Sequence, residues 1–299
     1  MSKYQRNDLL QKVNNDILQA GIMLEQTPVY EYADGDVLNV VFVGEFEALY
    51  TYVSFVATTA QVLDKPLKIH IVSSDMQFSE KLLRKAPLLV EYSNLGGEVE
   101  EPYVEFYFYS SLSETKSLAH RYAIVASEYA STIQNTLKAL VKMYSSESDK
   151  KAIVNYVCPD TYKIETPKHI TLNHLEVGRH RKVIDRLGEM AFRLHYLYMK
   201  ESDPQYNYEK CREEFSSDGY SQTSSLASIL HCKYKLNSIG INPRSTKSNV
   251  IKAYDKIVFC SDKSVWNSLV YLEHKRWMLY TMLPDIIILR LSRLINTHM

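Results

Sequence analysis

At 299 residues and 45% apolar content, the chain is long enough for one large domain or two ordinary ones, each with its own core. Its 35 basic residues balance 35 acidic ones, which excludes a whole-chain field for nucleic acid; no nucleic-acid partner is expected, and an anionic ligand must be met locally. Four scattered cysteines (Cys158, Cys211, Cys232, Cys260) form no C-x-x-C pair, and no signal-peptide pattern opens the chain, so neither a disulfide framework nor a zinc knuckle is suggested and a cytoplasmic location is expected.

Residues 3–26 carry Leu10, Val13, Ile17 and Ala20 at helical spacing, which predicts an amphipathic helix that packs on the rest of the chain or on a partner; this helix and a linker make up residues 1–36. VLNVVFVG (37–44) is a continuous apolar, β-branched run ended by Gly44, as a strand buried on both faces requires. Residues 45–64 lack Gly and Pro and read as a helix that Lys65-Pro66 ends, and LKIHIVSSD gives a second strand closing on Asp75. The alternation continues with a helix over 78–92, strands over 104–111 and 122–127, a helix over 128–144 and a strand over 151–157. Such βαβ repetition predicts a Rossmann-like α/β domain over residues 37–165, with a mainly parallel sheet and helices on both faces.

Ligands of such sheets sit outside the carboxyl ends of the strands, which directs attention to GEFEAL (44–49). A dinucleotide fingerprint wants further glycines where this chain has Phe46 and Leu49, and Glu45 and Glu47 add negative charge beside any phosphate. Asp75 is placed to accept from a ribose diol, although thirty-one residues separate it from Gly44. Gly44, Glu45, Phe46, Asp75 and Ser127, at the end of the fourth strand, form the candidate cofactor set. A dinucleotide site and a fold that has lost its cofactor both remain open.

The strand–Gly–helix–strand–Asp series, followed by YAIVASEYASTIQNTLKAL with Val125, Ala126, Glu128 and Asn135, resembles the TrkA-N type of Rossmann domain over roughly residues 37–160. That resemblance implies a nucleotide-binding regulatory domain more than a dehydrogenase; the family's best-known members control potassium transport.

After residue 160 the strand pattern stops and a helical domain over 166–299 is expected. Its segments are an amphipathic helix over 179–200 broken by Gly188, a loop or short turns over 201–223, and a helix over 224–241 with Gly240 at its end; a polar linker over 242–263 precedes SVWNSLVYLEHKRWMLYTML. LPDIIILRL (283–291) is too short to span a membrane, holds Asp285 and Arg290, and reads as a core or oligomer helix.

Three signatures in this half resemble the ryanodine-receptor-type (RyR) repeat: LHYLY around His195, the SS-L-A-x-x-L-H-x-x-x-K-L-x-x-I-G helix at 224–240, and LEHKRW. His195-x-x-Tyr198 and His274-x-x-Trp277 share one spacing, as halves of an internal repeat would, and the second half is expected to be incomplete. The resemblance implies an adenine stacked on Trp277 with His274 and Glu273 nearby and Tyr198 facing it, His231 in the same pocket, and Lys233, Lys235 or Arg276 on the phosphates. The plainer reading makes Trp277 core, His231 and His274 structural, and Lys275 and Arg276 solvated.

No G-x-S-x-G, H-E-x-x-H, P-loop or kinase signature is present. The expected function is therefore a cytoplasmic nucleotide-binding sensor or regulator, in a bacterial stress or phage-defence setting by analogy, with an adenine nucleotide or NAD(P) as ligand. The alternative is an NAD(P)-dependent or nucleotide-processing enzyme working in the Gly44–Asp75 crevice. A homodimer is expected, and a protein or membrane partner is left open.

Overall fold

A computed structural model describes residues 9–26, 39–63, 66–97, 101–118, 120–146, 151–239 and 263–283. Six strands, β1 (Asn39–Val43), β2 (Leu67–Val72), β3 (Val104–Tyr109), β4 (Tyr122–Ala126), β5 (Ala152–Val157) and β6 (Ile170–His174), form one sheet in the order β3-β2-β1-β4-β5-β6. Every neighbouring pair is parallel. This is the Rossmann-like α/β arrangement, with the chain reversing direction across the sheet between β1 and β4.

Period-two alternation sorts the strand side chains onto two faces. Val40, Phe42, Ile69, Ile71, Phe106 and Ile124 point to one core, under helices α2 (Phe46–Thr59) and α3 (Phe78–Lys85). Val41, Val43, Ala123, Val125 and Val154 point to the other, under α5 (Ala130–Ser145), which contributes Ile133, Leu137, Leu140 and Tyr144. The helix expected over 78–92 is two: Pro87 has no N–H to continue α3, so it opens α4 (Pro87–Glu91) at a first-turn position where none is needed. The outer edge of β3 is protected by Asn94, whose side-chain amide accepts from Phe106 N at 2.7 Å and donates to Phe106 O at 3.0 Å, in place of a further strand.

Strands do not stop at residue 160. ITLNH forms β6, pairing with β5 from Ala152–Ile170 to Tyr156–His174, so the sheet extends past the boundary expected at residue 165. The crossover between β5 and β6 holds no helix, running through residues 158–169 as extended chain and turns.

Eleven of the fourteen residues of α2 are buried, so one sheet face cannot cover it. The far side is covered by α1 (Asn15–Gln26) and by helices that follow the sheet: α8 (Gly219–Ser238) and α9 (Ser264–Thr281), with α6 (Arg181–Ser202) and α7 (Tyr208–Ser217) packed beyond. Leu24, Phe192, Phe215, Leu226, Tyr234 and Leu279 of these helices share one continuous core with α2 and the sheet. Gly188 does not break α6. It lies where a Cβ would come within 3.3 Å of Leu9 Cβ, so its lack of a side chain lets the N-terminal segment lie against the helix. Of the loop or short helical turns expected over 201–223, residues 208–217 take the helical alternative, and α8 begins at Gly219, capped by Asp218, instead of at residue 224. The expectations for residues 3–8, Gly240, the 242–262 linker and 284–291 lie outside the described residues. Among the described helices, none is long and apolar enough to cross a membrane.

Two buried histidines tie the β3–β4 connection to its surroundings. His70 Nδ1 meets the Tyr109 hydroxyl at 3.0 Å; His120 meets the Tyr144 hydroxyl at 2.7 Å and Thr115 Oγ1 at 3.0 Å. Burial pulls both imidazoles down to about 4, helped at His70 by Lys68 against an opposing pull from Glu105, and at His120 by His70 and Arg121. The unfolded imidazole titrates at about 6.5. Above that pH both states are neutral and stability is full; as pH falls from there toward 4, the unfolded chain takes up protons that the fold refuses, and stability declines. Urea midpoints should therefore fall between pH 7.5 and 5, with a shallower slope for His120→Gln. A flat profile across that interval would contradict the assignment.

Candidate functional site

At the switch point, the turns after β1 and β4 are in contact. Gly44 has φ of 150°, and a Cβ there would lie 1.7 Å from the Ala126 carbonyl oxygen. The glycine is required by close approach of protein to protein. Glu45, at the N-cap of α2, accepts from Ser127 Oγ at 3.0 Å, while its second carboxylate oxygen is buried without a hydrogen-bond partner. The carboxylate makes no hydrogen bond to the helix N–H groups, but its negative charge lies beside the helix N-terminus that a phosphate would need.

The rest of the expected cofactor set is also engaged internally. Phe46 is buried edge-on to Phe78, with ring centroids 5.1 Å apart. Asp75 accepts from Lys81 Nζ at 2.7 Å and from Gln77 N at 3.1 Å at the start of α3. The Lys81 hydrogen bond holds the Asp75 carboxyl below its ordinary range. Gly44, Glu45 and Ser127 do meet; Asp75 serves its own helix.

The helical residues divide. Glu273 on α9 accepts from His231 Nδ1 (3.0 Å) and Lys235 Nζ (2.9 Å) on α8, and from Arg276 Nε (3.1 Å) and Nη2 (2.7 Å) on its own helix. Arg276 Nη2 also donates to Ser228 Oγ at 3.0 Å, and His231 Nε2–H donates to the Gln61 carbonyl just after α2, also at 3.0 Å. Burial alone would raise the Glu273 carboxyl, but its donors outweigh that and hold it well below the usual range. Burial lowers His231 against the upward pull of Glu273; with Nε2–H committed to Gln61, the proton between Nδ1 and Oε2 belongs to the pair.

Tyr198 sits close enough to feel Glu273, although burial is the main cause that raises its hydroxyl. Arg276, expected in solvent or on a phosphate, is 1% exposed. Lys233 donates to the Leu24 carbonyl of α1 instead of awaiting a phosphate. His195 lies apart from this cluster, against Phe215 at 5.2 Å. Trp277 is not core: it is 42% exposed, with its ring alongside His274 at 6.3 Å. This cluster fastens α9 to α8 and to the end of α2; Glu273 is shared by two cations, Lys235 and Arg276, and Arg276 Nη1 is buried without a hydrogen-bond partner.

A third place was missed by sequence reasoning. Because the β5–β6 crossover has no helix, residues 161–166 stand off the sheet and leave a cavity of about 760 Å³ at the carboxyl ends of β5 and β6. Its floor is Leu172 and the Tyr156–His174 stack, with centroids 4.9 Å apart and planes 6° off parallel. The crossover from Thr161 to Thr166 lines its other side with Arg179 and His180 at the edge, and the cavity is broadly open to solvent.

A hydrogen-bond relay holds that edge. Arg179 donates through Nε to Glu176 Oε2 (2.6 Å) and through Nη2 to Thr161 Oγ1 (2.7 Å). His174 donates Nε2–H to the Cys158 carbonyl (2.6 Å), which leaves Nδ1 to accept from Thr161 at 3.4 Å. His180 Nε2–H donates to the His174 carbonyl at 2.9 Å. Tyr162 pins the crossover by donating to the Ala130 carbonyl at 2.9 Å, with Cys158 Sγ 3.3 Å from its hydroxyl. The signal in the sequence was CPDTYKIETPKH, two prolines and no helical period where a crossover helix was due.

No family model, curated protein or solved structure matches the chain. Among the described residues no group of His, Cys, Asp and Glu side chains could hold a metal ion.

Two substitutions test these assignments. Gly44→Ala should destabilise by roughly 3–5 kcal/mol or prevent folding, because backbone rather than a flexible side chain blocks the new Cβ. Arg276→Met should cost about 3 kcal/mol, since it removes one partner of a largely buried pair. Chemical denaturation measures both; a loss below about 1 kcal/mol in either variant would show that the contact does not hold the fold.

Proposed function

We propose that this chain is a nucleotide-responsive regulatory protein that binds its ligand over β5 and β6. The observation that carries this reading is the cavity beneath the 161–166 crossover, at the strand ends where open α/β sheets take ligands. Its lining joins apolar and aromatic surface (Leu172, Ile164, Tyr162) to cations (Arg179, Lys163), a combination suited to a ring that bears an anionic group. Glu165 on the same rim and Glu176 beside Arg179 offset the two cations, so the fit to an anionic group rests on the hydrogen-bond donors that Arg179 keeps rather than on net positive charge. A regulatory role is favoured over catalysis by the commitments of these groups, since Arg179, Thr161 and His174 are joined in a relay that orients rather than in a pair poised to take a proton from substrate.

The route to the rest of the molecule is short. Arg179 and His180 immediately precede α6, a helix of 22 residues that packs on α8. In this reading the helical layer, with the role its resemblance to RyR repeats implies, carries the response to a partner.

Thermal unfolding of the whole chain with AMP, ATP, ADP-ribose and NAD tests the proposal. A bound nucleotide at 100 times its dissociation constant adds about 2.7 kcal/mol, a rise of several degrees, and should be recovered unchanged after long incubation. Absence of any rise with all four, or steady conversion of the ligand, would reject a regulatory nucleotide site.

A further inference from the structure

The boundaries of the cavity specify the size of ligand it accepts. Towards the switch point the cavity is walled by Tyr162, whose hydroxyl donates to the Ala130 carbonyl at the first residue of α5. Beyond that wall the β1 and β4 turns touch at Gly44 and Ala126, and Glu45 spans to Ser127 with its carboxylate. A dinucleotide in an open α/β sheet lays its pyrophosphate across the switch point, on the helix after β1. Here that path meets backbone, then a negative charge with one buried, unpartnered oxygen, and then Asp75 already joined to Lys81. Each obstacle opposes the same half of a dinucleotide.

On the near side of Tyr162 the chemistry is complete for one phosphate and one ring. Arg179 spends two of its five N–H donors on Glu176 and Thr161, and those two bonds fix the guanidinium plane while three donors remain. Its side chain is 53% exposed, so an incoming anion reaches it without displacing protein. Lys163 stands on the same cavity, and Tyr162, Ile164 and Leu172 offer a flat, largely apolar berth for a base.

We propose that the β5–β6 cavity is a mononucleotide site, taking a nucleoside monophosphate with its phosphate on Arg179 and its base against Tyr162, Ile164 and Leu172, and that it excludes dinucleotides. This rests on the nucleotide-responsive reading above and narrows it to one ligand class. The Thr161–Arg179 bond joins the crossover to the turn before α6, so the phosphate is read at the point where the crossover is fastened.

Calorimetry on the intact chain with AMP, GMP, UMP, NAD and inorganic phosphate decides the matter. At least one monophosphate should bind tenfold or more tightly than phosphate alone, and NAD at least tenfold more weakly than that monophosphate; NAD binding as tightly as the monophosphate would overturn the exclusion of dinucleotides. Arg179→Ala should weaken it at least tenfold and Arg179→Lys by less, while Thr161→Val, which keeps the guanidinium but loosens its support, should fall between the parent and Arg179→Ala. Glu45→Gln should leave the affinity within twofold, because that carboxylate lies beyond the wall. If NAD binds tenfold more tightly than every monophosphate and Glu45→Gln or Asp75→Ala changes that affinity, the mononucleotide assignment is wrong while nucleotide binding stands. If the parent chain binds none of the nucleotides, both fall; if Arg179→Ala binds a monophosphate as well as the parent does, the site is misplaced.

Discussion

The constraint on which the rest depends is the burial of α2 along nearly its whole length, with eleven of its fourteen residues out of water. Val53, Val56 and Ala57 are wholly buried, and only Glu47, Ala48 and Thr51 near the start of the helix keep access to water. A sheet covers one side of a helix and leaves the other to be covered by something else. In this molecule α1, α8 and α9 supply that cover, and the Glu273 cluster fixes their position at the end of α2 through His231 and the Gln61 carbonyl. A charged cluster is a costly way to join helices unless its members satisfy one another; here four donor atoms converge on one carboxylate, while Arg276 Nη1 stays buried without a partner.

The same economy of internal contacts governs the two ends of the sheet. At the switch point Glu45, Ser127, Asp75 and Lys81 are all committed to protein partners, which makes that region a joint between α2, α3 and the strand ends. At β5 and β6 the missing crossover helix leaves space, and the groups around it are fixed by only a few bonds. The contrast follows from chain geometry: a helix packed on a sheet fills the volume above it, whereas an extended crossover bridges it. The proposed site lies at the end where space and unspent donors coincide.

Much of this was legible in the residues. The apolar run VLNVVFVG and the alternation that follows it identify a parallel sheet, because only a strand covered on both faces has no polar side. The importance of Gly44 was also visible, though its reason was not: it answers a carbonyl 82 residues away in sequence, at Ala126, instead of a pyrophosphate. LEHKRW stood out for its density of polar groups, but no local rule says that Glu273 will turn toward α8 while Trp277 stays outside, since both follow from where α9 docks. β6 was missed because ITLNH, no shorter than β1, carries Thr171, Asn173 and His174 at the sheet edge with Thr171 facing solvent, so the apolar run that marked β1 is absent. With β6 unseen, the cavity beside it could not be inferred.

The central claim is that ligand recognition has moved from the switch point to the far edge of the sheet. Hydrogen exchange on the intact chain, with and without a saturating nucleoside monophosphate, tests it most directly by locating the response. The account predicts slowed exchange through residues 158–180 and into the first turns of α6, with residues 44–49 and 127–133 unchanged. Protection concentrated at 44–49 and 127–133, with the crossover and the start of α6 unaffected, would contradict it.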